Sequence, residues 1–97
     1  MDLVLRNIIS VTNQEQAIRE LIELNLMEME PGEVVACNLT ENSKLKLYIS
    51  CPRCGDASFT GEHAVTNKSG IFTVRPSIIT SCCGWHGYLT DNKFIGQ

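Results

Sequence analysis

The stretch Cys51-Pro52-Arg53-Cys54-Gly55 decides the fold, and it follows directly on Leu45 to Ser50, an apolar run with the texture of a strand. Two thiolates at C-x-x-C spacing can point at one tetrahedral ion, and a glycine after the second relieves crowding as the backbone turns. One such knuckle supplies two ligands, so closing the site needs another pair. The segment of similar form is Ser81-Cys82-Cys83-Gly84-Trp85-His86-Gly87, in which Cys83 and His86 repeat the two-residue gap and Gly84 follows Cys83 as Gly55 follows Cys54. The expected ligands of a structural Zn2+ are therefore Cys51, Cys54, Cys83 and His86, with Trp85 screening the ion from water. Cys82 remains a competing ligand through its own spacing to His86. His63 can also substitute for His86, but in the loop-like Gly61-Glu62-His63 it is expected to be solvated.

Size and composition favour this reading. The chain has 97 residues, 43% hydrophobic and 20% charged, which suits one folded domain over residues 1–97 with too little interior for two cores. Structural zinc adds roughly 10 to 16 kcal/mol of apparent binding free energy to so small a core. Five cysteines are an odd number. The first residues, MDLVLRNIIS, lack a secretory signal and no later run is long enough to span a membrane, so the expected compartment is the reducing cytoplasm and metal ligation is favoured over disulfides. Cys37 is the thiol left over. A thioredoxin-like role for Cys51 and Cys54 needs a larger alternating strand and helix fold than this turn-rich chain can supply.

Working outward, Leu3 to Ile9 can form a short strand. Thr12-Asn13-Gln14-Glu15 has the form of a capping box, which predicts a helix. Ala17, Ile18, Leu21, Ile22 and Asn25 fall on one face of that helix, and Glu15, Arg19 and Glu23 form a charge ladder on another. Pro31-Gly32 ends the helical pattern, dividing a helical part, 1–30, from a β part, 31–97. Strands are predicted at Val34 to Asn38, Leu45 to Ser50, Ile71 to Arg75, and Tyr88 to Ile95 with a break at Asp91-Asn92. Thr40 to Ser43 and Asn67 to Gly70 read as turns, the second a hairpin loop. The expected class is α+β: an N-terminal helix packed on a small antiparallel sheet with a zinc-ribbon-like core.

Over about the last 65 residues the order Pro31-Gly32, Cys51 to Gly55, Pro76-Ser77-Ile78 and Cys83-Gly84-Trp85-His86 with its following hairpin resembles a family of small bacterial and phage zinc-knuckle proteins. Some members carry an ammonia monooxygenase label, although nothing here resembles the copper or membrane apparatus of that chemistry. Others look like peptidases that accompany ubiquitin-like conjugation operons. The resemblance implies a phage or mobile-element origin and, for the peptidase-like branch, hydrolysis. This chain departs from many relatives in its simple knuckle and in its own N-terminal helix.

Three functions are weighed. Four protein ligands leave zinc no open position, so a non-catalytic module that binds another protein is expected first. A hydrolase with Ser77 as nucleophile is the second, and serine needs a base: His63, or His86 if Cys82 replaces it on the metal. Nucleic-acid binding through Arg53, Lys68, Arg75 and Trp85 or Phe72 is the third. The net charge of -3, with Glu15, Glu20, Glu23, Glu28 and Glu30 crowding the first third, counts against it.

Overall fold

The computed structural model describes residues 1–61, 63–80 and 82–97. Glu62 and Ser81, in the predicted loop before His63 and the second predicted knuckle, lie outside the described residues. The first sheet is built from β1 (Val4–Val11), β2 (Glu33–Leu39), β3 (Lys44–Ser50) and β4 (Ala57–Phe59), in that spatial order. Helix α1 (Gln14–Glu23) connects β1 to β2, and this crossover is what allows those two strands to lie parallel. The second sheet is an antiparallel meander of β5 (Ala64–Lys68), β6 (Ile71–Ile79), β7 (His86–Thr90) and β8 (Lys93–Gly96).

The α+β class and the helix are therefore present, but two four-stranded sheets stand in place of one small antiparallel sheet. The reason lies in Val34-Val35-Ala36-Cys37, which is buried on both faces. Val34 and Ala36 join Leu47, Ile49, Phe72, Val74, Trp85, Leu89 and Phe94 in a core between the sheets. Val35 and Cys37 point the other way, joining Ile9, Val11, Ala17, Leu21, Leu26, Leu39 and Tyr48 under α1. A strand with no polar face needs a layer on each side, and alternation supplies one set of side chains to each.

Local chemistry explains the element ends. The N-cap of α1 is Asn13, whose Oδ1 accepts from Gln16 N–H at 3.0 Å, while Gln16 Oε1 accepts from Thr12 N–H at 2.6 Å. The reciprocal box thus sits one residue later than the Thr12 and Glu15 pair predicts, and Glu15 instead pairs with Arg19 at 3.0 Å. Asn25, expected on the apolar face, ends the helix with φ 55°. Its N–H donates to Ile22 O and that of Leu26 to Leu21 O, a Schellman arrangement closed by contact between buried Leu21 and Leu26. Ala17 and Leu21 reach the core, whereas Ile22 stays 58% exposed. Residues 1–30, expected to be helical, hold β1 as well as α1. Ser69-Gly70 and Asp91-Asn92, all at positive φ, make the two tight hairpin turns of the second sheet. The N-terminus joins that sheet too, Asp2 bridging Lys93 beside β8. No helix among the described residues is long and apolar enough to cross a membrane.

Cys37 is unpaired and fully buried beneath α1, and burial pushes its thiol up from 9.0 to about 11. Below pH 9 the thiol is protonated in both the folded and unfolded chain. Between pH 9 and about 11 the unfolded thiol ionises while the folded one does not, so stability falls as pH rises. Tyr48, also raised by burial, adds a loss at the upper end of this range. Urea midpoints measured from pH 8 to 11 are expected to fall less steeply for Cys37→Ala than for the native chain; equal slopes count against the assignment.

Candidate metal centre

The β3 strand delivers Cys51 to the edge of the inter-sheet core, where it is fully buried. The chain then reverses: Gly55 N–H donates to Cys51 O at 2.9 Å and Cys51 N–H donates to Asp56 O at 2.7 Å. Gly55, at φ 87°, takes the left-handed conformation this reversal demands. The end of β6 repeats the pattern. Gly84 N–H donates to Thr80 O at 3.0 Å and Thr80 N–H to Trp85 O at 2.9 Å, with Gly84 at φ 74°. The two knuckles are thus equivalent in backbone bonding, and the equivalence places Thr80 on Cys51, Cys82 on Arg53 and Cys83 on Cys54.

The folded chain brings four sulfurs together, those of Cys51, Cys54, Cys82 and Cys83, all within 4.8 Å of one another. This cluster can hold a metal ion. Cys51 and Cys83 Sγ are 3.7 Å apart, and Cys82 and Cys83 Sγ 3.8 Å. Cys54 and Cys82 Sγ are in bonding contact, with Cα atoms 7.3 Å apart. Disulfides usually span about 4.4 to 6.8 Å between Cα atoms, so this separation better suits two thiolates that share an ion. Cys51 faces the core, while the other three cysteines are exposed. Burial pushes the Cys51 thiol up, but Thr80 Oγ1 at 3.4 Å, the backbone of Cys54 and Arg53, and the Cys83 thiol together bring it below its ordinary value.

Three of the four expected ligands, Cys51, Cys54 and Cys83, belong to this group; the fourth sulfur is that of Cys82. His86 stands apart from the group. It opens β7, and its Nε2 lies 2.9 Å from Ser77 Oγ. His63, rather than being free in solvent, is half-buried with Nε2 2.9 Å from Ser77 O and Nδ1 against Thr60 O. Both histidines of the chain therefore converge on Ser77. Ser77 occupies an irregularity of β6, between the pairs Val74↔Leu89 and Ile78↔Gly87, where three residues of β6 face the single residue Tyr88. Such a bulge re-aims side chains, and it accommodates Pro76, which has no N–H to give a neighbouring strand.

Trp85 lies in the inter-sheet core, its ring 6.1 Å from and nearly perpendicular to Phe94. Gly87 makes room for it: a Cβ there would meet the Trp85 ring at 2.7 Å and also collide with Ile95 O. Phe72 is fully buried as well, so neither aromatic ring proposed for nucleic-acid contact offers a face to a base. Arg53 and Lys68 are exposed, and Arg75 lies over the Tyr88 ring, 5.4 Å from its centroid.

The sequence contained a signal for the fourth sulfur. Aligning the knuckles on their glycines, Gly55 and Gly84, sets Thr80-Ser81-Cys82-Cys83 against Cys51-Pro52-Arg53-Cys54 and leaves His86 outside the knuckle. Comparison with protein-family models, curated proteins and solved structures found no match to this chain.

Proposed function

We propose that the four cysteines hold a structural zinc ion, and that the module it secures is a hydrolase using Ser77 as nucleophile and His86 as base. Support for zinc is metric. Four thiolates about 2.3 Å from a tetrahedral ion are separated by about 3.8 Å along each edge. The Cys51–Cys83 and Cys82–Cys83 separations of 3.7 and 3.8 Å fit that figure. A site closed by four protein ligands has no position for an activated water, so the ion's work is to join the end of β3 to the turn between β6 and β7. That turn carries the zinc-ribbon-like second knuckle and connects the strand bearing Ser77 to the one bearing His86.

The observation that carries the activity is the 2.9 Å separation of Ser77 Oγ and His86 Nε2. With the proton of His86 on Nδ1, Nε2 accepts from the serine hydroxyl and can take its proton as Oγ attacks a carbonyl carbon. The same imidazole then returns the proton to the leaving group, and water releases the acyl group from Oγ. His63 positions the serine through its carbonyl. Strand β5 stops at Ala64↔Arg75, so β6 beyond Arg75 has no strand on that side, and Arg75, Pro76 and Ile79 are exposed. An extended peptide suits such an open edge. The resemblance to peptidase-like zinc-knuckle proteins points to the same substrate class.

A fluorophosphonate probe, mapped by peptide mass spectrometry, tests this. Ser77 should be labelled in the zinc-loaded protein and Ser77→Ala should not react. His86→Gln should slow labelling by about 10² to 10⁴-fold while retaining zinc. Loss of zinc from His86→Gln would instead return His86 to the ligand set. Absence of labelling in folded, metal-loaded protein would leave the non-catalytic reading, in which the chain binds another protein. One observation favours that alternative: β1 is an edge strand of eight residues whose Val4 and Ile8 are more than half exposed.

A further inference from the structure

The backbone equivalence of the two knuckles gives the second one an anomaly. At the position matching Cys51 it carries Thr80, whose hydroxyl lies 3.4 Å from Cys51 Sγ and 3.9 Å from Cys83 Sγ, at the inner side of the sulfur cluster. The fourth sulfur comes instead from Cys82, which occupies the outward position that Arg53 takes in the first knuckle. Thr80 is 8% exposed, whereas Cys82 is exposed, as is its neighbour across the cluster, Cys54. A ligand at the inner position would be shielded by the core. The outer position leaves two adjacent sulfurs open to small solutes.

We propose that Cys54 and Cys82 form a hydroperoxide-sensitive pair whose oxidation to a disulfide releases the metal; this rests on reading the cluster as a zinc site. In the first step one of the two thiolates attacks a peroxide oxygen, the O–O bond breaks, and the departing oxide takes a proton, leaving a sulfenic acid on the protein. The second thiolate attacks the sulfenic sulfur, an S–S bond forms, and hydroxide leaves and is protonated to water. Two electrons pass from the two sulfurs to the peroxide, and with hydrogen peroxide the other product is a second water. Cys51 and Cys83 alone cannot hold zinc against the solvent, so the ion is lost. An added dithiol reverses the step. Cys54 and Cys82 are the partners because both are exposed and their sulfurs already touch, whereas Cys51 is buried. The turns that carry them can close the 7.3 Å between their Cα atoms without disturbing either sheet.

The test uses the full chain, reduced and loaded with zinc, titrated with hydrogen peroxide. Released zinc is followed with a chromogenic chelator and the cross-link is mapped by peptide mass spectrometry. One zinc ion should appear per Cys54–Cys82 disulfide, and dithiothreitol with added zinc should restore the starting state. The double variant Thr80→Cys, Cys82→Ser moves the fourth thiolate to the shielded position; it should bind one zinc ion and release it at least about tenfold more slowly. Zinc binding with a different cross-link, release without any disulfide, or equally fast release from the double variant overturns the proposal and leaves the zinc site intact. Failure of the reduced native chain to bind zinc removes the zinc reading itself, and with it this one.

Discussion

Removing the metal from the reduced protein with a strong chelator is expected to abolish the cooperative thermal transition. Structural zinc in small domains contributes roughly 10 to 16 kcal/mol of apparent free energy at neutral pH. A whole domain is stable by only about 5 to 15 kcal/mol, so loss of the ion exceeds what the remaining contacts can carry. Here the ion ties the end of the first sheet to the turn that joins β6 and β7. Its removal therefore frees the inter-sheet core at the end where Cys51 and Trp85 close it. Cys51→Ser should be the most damaging single cysteine variant, because it weakens the ligand set and also places a hydroxyl where the sulfur is fully buried. Cys37→Ala should keep full zinc stoichiometry, since Cys37 lies under α1, outside the four-sulfur group. Circular dichroism melts with and without chelator, alongside elemental analysis, make the comparison. An unchanged melt in metal-free, reduced protein would refute the structural role.

Phe72→Ala should cost about 3 to 5 kcal/mol, the usual loss for emptying a buried aromatic site. Phe72 is the largest of the fully buried side chains and stands between the two sheets, in the same core as Val34, Leu47, Val74 and Leu89. Truncation removes its contacts and leaves a cavity that two hydrogen-bonded sheets cannot collapse to fill. Its backbone is held independently, its N–H donating to Asn92 Oδ1 at 2.7 Å and its carbonyl accepting from Asn92 N–H at 3.0 Å. The strand should therefore keep its register while the packing fails. Ile22→Ala, at the 58% exposed position on α1, is the matched control and should stay within about 0.5 kcal/mol of the native chain. Urea denaturation of zinc-loaded protein measures both. A Phe72→Ala loss no larger than that of Ile22→Ala would show that the sheets do not pack through this core.

The contrast between the strands shows how far the sequence could be read. Strands β2 and β3 are concentrated apolar runs and were legible within a residue or two of their ends. Ala57–Phe59 and Ala64–Lys68 were not read as strands. The first is only three residues long, and Ala64–Lys68 is largely polar because it lies on an edge of its sheet with little to bury. Ile18 and Ile22 have the right spacing for a core face, yet only Ala17 and Leu21 reach the core because the sheet contacts a narrow stripe of α1.

The sequence by itself determined what depends on neighbours along the chain: the C-x-x-C-G knuckle, the hairpin turns, the start of the helix and the central strands. Tertiary structure decided what depends on residues distant in sequence meeting in space. It divided the strands between two sheets, because a strand apolar on both faces must be covered twice. It also brought the sulfur of Cys82 into the cluster and set His86 against Ser77. Spacing alone treats Cys82 and His86 as interchangeable candidates, since both lie within a few residues of Cys83. Their separation follows from the strand pairing: the pair Ile79↔His86 places the imidazole beside β6, while Cys82 remains in the turn with the other thiols.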